Sequence, residues 1–197
     1  MRKALIGCLV IGGGLAVAAL IVGLWLSGQY NGLVRDRETV SEAWSQVENV
    51  YQRRLDLVPN LVETVKGFAR QELAVFTEVA EARVKLAGAV QTGTLAQMAE
   101  ANAGLTAPLG RLLALVESYP QLKSNENFRA LQDQLEGTEN RIAVARQDYN
   151  DAVRRYNAYI RRFPQVLTAK AIGKGPREYF ELTTRGAADV PQVDFSR

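Results

Sequence analysis

Residues 125–163 read NENFRALQDQLEGTENRIAVARQDYNDAVRRYNAYIRRF, and they decide the fold class of this chain. From Phe128 to Phe163, apolar or small residues recur at alternating spacings of three and four, which is the spacing of one face of an α-helix. Ser124 or Asn125 stands where a residue can cap the first turn. The stretch therefore predicts one long packed helix, roughly 58 Å in length at about 1.5 Å per residue.

Three shorter periodic segments precede this stretch and predict helices of their own. Pro59 suits the first turn of the second segment, and Thr94 with Gln97 resembles a capping box at the start of the third. Pro120 ends the third segment. Because short connections favour antiparallel neighbours, we predict an all-α fold in which residues 28–163 form an antiparallel bundle of long helices. The predicted helices cover about residues 30–57, 59–89, 95–119 and 125–163.

Polar residues stand within two of the predicted apolar stripes. Arg37 and Arg54 interrupt the stripe of the first segment, and Asn102 occupies a position in the stripe of the third. The spacing of three and four continues through all of these positions. The helices are therefore predicted in spite of these polar residues.

The bundle is preceded by an uncharged apolar run over residues 4–26, ALIGCLVIGGGLAVAALIVGLWL. At about 1.5 Å per residue this run spans roughly 34 Å, against a hydrocarbon core of about 30 Å. The run is longer than the apolar region of a cleaved signal peptide, which is the alternative interpretation, and Leu26-Ser27-Gly28 is a poor cleavage exit. We predict a retained, single-pass transmembrane anchor over residues 1–27.

The orientation of the anchor is less strongly indicated. Arg2 and Lys3 favour a cytoplasmic N-terminus, whereas Arg35 and Arg37 lie close to the other end of the run. We expect the bundle outside the cytoplasm.

Four small residues of the anchor share one helix face. Gly12, Ala16, Ala19 and Gly23 are spaced by four, three and four, which lets two helix backbones approach closely. Because Gly and Ala are common in membrane helices, ordinary composition is the alternative explanation. The spacing predicts self-association of the anchor through this face.

Composition excludes several classes of function. The chain has no histidine, which removes Ser-His-Asp and Cys-His catalysis and the usual zinc sites. Its 24 basic and 21 acidic residues nearly balance, and no concentrated basic face indicates a nucleic-acid partner. We expect no enzyme activity, no cofactor and no metal.

The longest predicted helix also carries two repeated features. Tyr149-Asn150 and Tyr156-Asn157 recur seven residues apart, and Tyr30-Asn31 repeats the pair beside the anchor. We expect the three tyrosines to lie in helix–helix contacts, with the asparagines bonding across helices. Four arginines near the end of the same helix are candidates for contacts with lipid headgroups, and a solvated helix end is the alternative. These are Arg154, Arg155, Arg161 and Arg162.

The periodic pattern ends at Pro164. Residues 164–197 contain several Gly and Pro residues and predict a C-terminal tail. A short piece over residues 177–183, with Tyr179 and Phe180, is expected to dock on the bundle.

Residues 52–67, QRRLDLVPNLVETVKG, closely resemble the signature of the LemA family. Residues 139–146, ENRIAVAR, together with the two later Tyr-Asn pairs, resemble the second block of that family, and the closing Pro191-x-Val-x-Phe195 also fits. The resemblance extends over nearly the whole chain. It implies a bacterial protein with one transmembrane helix, an antiparallel helical bundle and no established activity. One branch of the family is associated with organising intracellular membrane compartments.

Both resembling blocks are rich in polar residues, which we expect to form a buried polar lock between the first, second and fourth helices. An unpaired buried charge is costly, so such residues would have to pair. The predicted members are Asp56, Asn60, Glu63, Lys66, Glu139, Asn140 and Arg141.

Two functions fit this sequence. The first is a membrane-anchored scaffold of the bacterial inner or plasma membrane that binds lipid, self-assembles, and organises or remodels that membrane. The alternative is an adaptor whose bundle presents a protein partner to a membrane protease or an envelope enzyme.

Overall fold

The computed structural model describes the backbone of residues 2–180 and the side chains of residues 12–180. Within this range the chain is helical and confirms the all-α prediction. The predicted tail over residues 164–197 is described as far as Phe180, and the closing motif at residues 191–195 lies outside the described residues. The helices are α1 (Arg2–Lys66), α2 (Leu73–Thr92), α3 (Leu95–Ala114), α4 (Pro120–Lys123), α5 (Glu126–Arg161) and α6 (Gln165–Ala171), with a 3₁₀ turn over Leu115–Ser118.

These helices form two compact units. The first unit contains the chain up to Glu42 together with Asp151–Glu178. The second unit contains Ala43–Asn150 and the following docked residues Tyr179 and Phe180. In the second unit Trp44 contacts Tyr149, and Arg54 contacts Glu139, so α1 and α5 run antiparallel there.

The core consists of the apolar stripes that the spacing predicts. Buried residues recur along α1, α2, α3 and α5, among them Val47, Leu86, Leu105 and Ile142. Phe163 is an exception: it was expected to end the last stripe, but it is 80% exposed because α5 ends at Arg161.

Pro59 does not separate two helices, and this prediction is wrong. Helix α1 continues through Pro59 to Lys66, and α2 begins at Leu73. A proline inside a helix has no N–H for the carbonyl four residues earlier. That carbonyl, of buried Leu55, instead accepts a hydrogen bond from Arg83 Nε of α2 at 2.9 Å.

The other predicted helix ends are largely confirmed. Thr94 and Gln97 form a capping box at the start of α3. Asn125 Oδ1 accepts a hydrogen bond from the amide of Phe128 at 3.0 Å, which caps the first turn of α5. Helix α3 ends earlier than expected, at Ala114, and Pro120 opens α4 after the 3₁₀ turn.

Candidate functional site

From Arg2 onward the predicted anchor lies within α1, which contains a segment long and apolar enough to cross a membrane. Its described apolar side chains are exposed, including Leu15, Leu20 and Leu24. A Cβ added at Gly12 or Gly23 would meet no described atom within 4 Å. The predicted small-residue face, with Ala16 and Ala19 between these glycines, is therefore open along its described length.

A buried arginine joins three helices of the second unit. Arg54 of α1 is 5% exposed, and its Nη1 donates to Asn102 Oδ1 of α3 at 2.7 Å and to the carboxylate of Glu139 of α5. Its Nη2 donates to Thr106 Oγ1 at 3.4 Å. Burial lowers the pKa of Arg54, and the neighbouring carboxylate of Glu139 opposes that shift. The cluster joins α1, α3 and α5 and satisfies most of the polar groups of one buried cation.

The predicted polar lock is wrong in most of its membership, because only Glu139 pairs with a buried polar group. Lys66 does reach α2, but through a cation–π contact, with its Nζ 5.8 Å from the centroid of the buried Phe76 ring. Lys66 pairs with Glu63 at 3.0 Å within α1, and the two side chains are 44% and 72% exposed, respectively. Residues three or four apart on one helix can satisfy each other at the surface without crossing to a neighbour. The remaining members have exposed side chains: Asp56, Asn60, Asn140 and Arg141. Arg54 and Asn102 were missed, although both stand within apolar stripes.

The three predicted tyrosines have three different environments. Tyr149 is buried on α5, and its ring meets Trp44 of α1 edge to face at 5.6 Å. Tyr156 is also buried, but its hydroxyl donates to the carbonyl of Gly175 at 3.2 Å, in the segment after α6. Tyr30 is about half exposed, which does not fit the expected helix–helix contact.

The aromatic residue that joins α5 to α1 in the first unit is Tyr159. Its hydroxyl donates to the carbonyl of Gln29 at 2.8 Å, and its ring lies against Gly32. Burial raises the pKa of Tyr159, and the charge of Asp36 adds to this shift. The sequence signal for this contact was Gly32 itself, because a glycine within a helix often marks close approach of another group.

Asn157, in the first unit, holds the backbone of the C-terminal segment. Its Nδ2 donates to the carbonyl of Arg177 at 2.9 Å, and its Oδ1 accepts from the amide of the same residue at 2.8 Å. One asparagine amide thus satisfies both backbone groups of one extended residue. We had expected Asn157 to bond to another helix; its amide instead bonds to the backbone of the C-terminal segment.

Asn150, in the second unit, makes the same pair of bonds to Phe180. The two distances are 3.0 Å to the carbonyl and 2.7 Å from the amide. The Phe180 ring is buried under the guanidinium of Arg146, whose Cζ lies 4.3 Å from the ring centroid. Phe180 of the predicted tail therefore docks on α5 through two backbone hydrogen bonds with Asn150 and a cation–π contact with Arg146.

The four predicted headgroup arginines are all exposed on α5 or directly after it. Arg154 pairs with Asp151 on the same helix at 3.0 Å. Arg161 ends α5, and Arg162 lies three residues before the start of α6. In the first unit α6 lies beside the end of the predicted anchor, and α1 and α6 enclose an open groove of about 640 Å³. The groove is lined from α1 by Trp25, Leu26, Ser27, Tyr30 and Asn31, and from the α6 side by Pro164, Leu167, Thr168 and Ala171.

A second groove, of about 690 Å³, runs along α2 and α3 in the second unit. Small residues such as Gly88, Ala89 and Gly104 line its floor, and charged residues such as Glu81 and Arg111 lie along it. Among the described residues no group of His, Cys, Asp and Glu could hold a metal ion.

Comparison with known proteins gives one family and a small set of relatives. The sequence model of the LemA family matches residues 43–195. Magnetosome proteins MamQ 1 and MamQ 2 of Paramagnetospirillum magneticum are each 29% identical over 202 residues, an alignment that covers 91% of this chain and 73% of the relative. Magnetosome protein MamQ of Magnetospirillum gryphiswaldense is 28% identical with the same coverage.

Proposed function

Because the chain belongs to the LemA family and α1 carries a segment able to cross a membrane, we propose that it is a non-enzymatic, membrane-anchored helical scaffold. It crosses the bacterial inner or plasma membrane once, with a cytoplasmic N-terminus and an extracytoplasmic bundle. Copies of the chain assemble with one another and organise or remodel that membrane. The relatives named as magnetosome proteins support a role in organising a cellular compartment.

The observation that carries this proposal is the open small-residue face of the anchor. Gly12, Ala16, Ala19 and Gly23 lie on one face, and a larger side chain at either glycine would meet no described atom of the same chain. Packing within the described chain therefore does not require small residues there. Close approach of a second membrane helix does require them, since it is driven by contacts between backbones.

Measuring the mass of the full-length protein in mild detergent by light scattering tests this proposal. We expect a defined oligomer for the wild type and a monomer for the variant carrying Gly12→Leu and Gly23→Leu. A matched control carries Gly14→Leu and Ala18→Leu, which lie on the opposite face of the helix at 3.6 residues per turn. This control adds comparable apolar bulk and should keep the wild-type mass.

A monomeric wild type, or an oligomer that survives Gly12→Leu with Gly23→Leu, would contradict assembly through the anchor. Equal loss in the control pair would show that bulk anywhere on the anchor disrupts the particle, which also contradicts the proposed face.

Anionic lipid headgroups are the second proposed partner. Three arginines have exposed side chains near the end of α5: Arg155, Arg161 and Arg162. A fourth, Arg154, forms an ion pair with Asp151. A basic residue near an anionic membrane surface contributes about 1 kcal/mol. These contacts would supplement the anchor.

The groove along α2 and α3 favours a second candidate function, an adaptor that presents a protein partner to a membrane protease or an envelope enzyme. A photo-crosslinking residue at Gly104, which faces open space in this groove, should then capture one partner in stoichiometric amounts in cells. The same residue at Gly137, an open position on α5, is the matched control. Capture of only this chain at Gly104 would contradict the adaptor and fit the scaffold.

A further inference from the structure

Two large apolar side chains are exposed at the α6 side of the groove between α1 and α6: Leu167, which lines the groove, and Phe163, which directly precedes the lining residue Pro164. Phe163 is 80% exposed and Leu167 is 59% exposed, whereas Ala169 on the other side of α6 is 2% exposed. Helix α6 therefore packs Ala169 against the protein, whereas Leu167 and, just before the helix, Phe163 are left without cover from the described residues. Large apolar groups gathered on a surface mark a site of contact with a partner or a membrane.

The position of this groove relative to the anchor indicates what covers it. Trp25 and Leu26, the last residues of the apolar run, line one end of the groove, and polar Tyr30 and Asn31 line the other. From Trp25 to Asn31 the helix rises roughly 9 Å, so the groove lies where the hydrocarbon core gives way to headgroups. Its apolar-to-polar gradient has the same direction as that of a lipid in the adjoining leaflet.

Charge around the groove is complementary to the headgroup layer. Arg161 and Arg162 precede Phe163, and Lys170 lies on α6, each with an exposed side chain. Basic residues flanking buried apolar side chains are the composition of helices that lie in a membrane interface.

We propose that α6 and Phe163 form a second membrane contact, and that the groove between α6 and the end of the anchor holds an acyl chain of a lipid from that leaflet. Phe163 and Leu167 insert beside Trp25, and the three basic residues bind lipid phosphates. The contact rests on the proposed membrane anchor and is independent of self-assembly.

The test uses the full chain in vesicles of phosphatidylcholine and phosphatidylglycerol, with and without a nitroxide quencher on the upper acyl chain. Cys8→Ser removes the native thiol, and a bimane fluorophore is then attached at Leu167→Cys. Two positions of the first unit serve as references. Leu15→Cys reports insertion of the anchor, and Val34→Cys lies roughly 12 Å beyond Leu26 along α1.

We expect the quencher to reduce bimane emission at position 167 at least about twofold more than at position 34, because a chain that fills the groove brings the nitroxide close to it. Quenching at 167 no stronger than at 34, with strong quenching at 15, would overturn the lipid contact and leave the anchor intact. Loss of quenching at 15 as well would overturn the membrane anchor, and with it this contact.

A second variant tests the role of Phe163. Phe163→Ser in the chain labelled at position 167 should reduce the quenching, because the side chain no longer holds α6 in the interface. Leu73→Ser, which changes an apolar side chain of similar exposure at the start of α2, is the control and should leave quenching unchanged. Unaltered quenching in Phe163→Ser would contradict the proposed insertion of Phe163.

Discussion

At the residue scale, Gly32 shows how a missing side chain permits a contact between helices. The ring of Tyr159 lies directly over this glycine, and a Cβ built there would be 2.9 Å from Cζ of the ring. The glycine lets the Tyr159 hydroxyl reach the carbonyl of Gln29 at 2.8 Å. The helix tolerates the poor helix propensity of glycine at this position because the contact needs the space.

Gly32→Ala should therefore destabilise the protein even though alanine favours helix. Alanine gains about 1 kcal/mol in helix propensity, whereas forcing a packed ring aside costs about 1–3 kcal/mol. We expect a net lower melting temperature, measured by circular dichroism on the full chain in detergent.

Gly28→Ala, one turn earlier, is the matched control because a Cβ there meets no described atom within 4 Å. It should keep or raise the melting temperature. In a Tyr159→Ala background, Gly32→Ala should no longer lower the melting temperature, because the ring that it displaces is absent. A lower melting temperature in both glycine variants, or an undiminished cost without the tyrosine ring, would contradict this explanation.

Arg54 is a second case in which a single residue has a structural role. The guanidinium is buried, and Asn102, Thr106 and Glu139 satisfy its Nη atoms from two other helices. Its Nε has no hydrogen-bond partner in the described part of the chain. The sequence shows that Arg54 stands within an apolar stripe. It does not show the partners of Arg54, which are 48 to 85 positions away along the chain.

At the scale of elements, Arg83 explains why α1 passes through a proline. Pro59 leaves the buried carbonyl of Leu55 without its helical donor, and the guanidinium of Arg83 supplies a donor from α2. Because a buried carbonyl without a partner costs roughly 1–3 kcal/mol, this bond both keeps α1 continuous and positions α2 against it.

Arg83→Met should lower the free energy of unfolding by about 1–2 kcal/mol, because the carbonyl of Leu55 loses its donor while the aliphatic stem is kept. In a Pro59→Ala background the effect should become much smaller, since the amide of residue 59 can then donate to the same carbonyl. Unfolding with denaturant, carried out on all four members of this double-mutant cycle, measures the coupling.

Lys85→Met changes a neighbouring exposed cation of α2 and should alter stability by less than about 0.5 kcal/mol. Additive effects of Arg83→Met and Pro59→Ala would contradict the proposed compensation.

At the scale of the whole molecule, a buried tyrosine makes stability depend on pH. Tyr51 is fully buried, and its hydroxyl has no hydrogen-bond partner among the described residues. Burial raises the pKa of Tyr51 above its ordinary value of 10.0, although the charges of Arg146 and Arg54 oppose the shift. The unfolded chain therefore loses this proton at a lower pH than the folded chain does.

Because folding raises the pKa of Tyr51, its contribution to the free energy of unfolding is fully present below pH 10.0. That contribution is lost as the pH rises towards and through the raised pKa of the folded state. Tyr51→Phe should flatten the fall in unfolding free energy on the alkaline side. The variant should also be up to about 1 kcal/mol more stable at pH 8, because it removes an unsatisfied buried hydroxyl. Denaturant unfolding at a series of pH values measures both effects.

Part of the alkaline loss should remain in Tyr51→Phe, since burial also raises the pKa of Tyr159. An unchanged pH profile together with lower stability would contradict this account of Tyr51.

The sequence by itself determined the features that depend on short-range spacing. Helix type, apolar stripes, the cap at Asn125 and the capping box at Thr94 all follow from residues within a few turns of each other. The apolar run of the anchor follows in the same way, because crossing a bilayer depends on length and composition.

Only the tertiary structure decided which polar groups meet. In the sequence, Pro59 predicts a helix boundary. In the structure the helix continues, because Arg83, 28 positions from Leu55, supplies the missing donor. In the sequence, Asn157 beside Tyr156 predicts a bond between helices. In the structure, Asn157 bonds to the backbone of the C-terminal segment. The physical reason is that a hydrogen bond needs its two atoms at one distance and one angle, and packing of distant segments sets both.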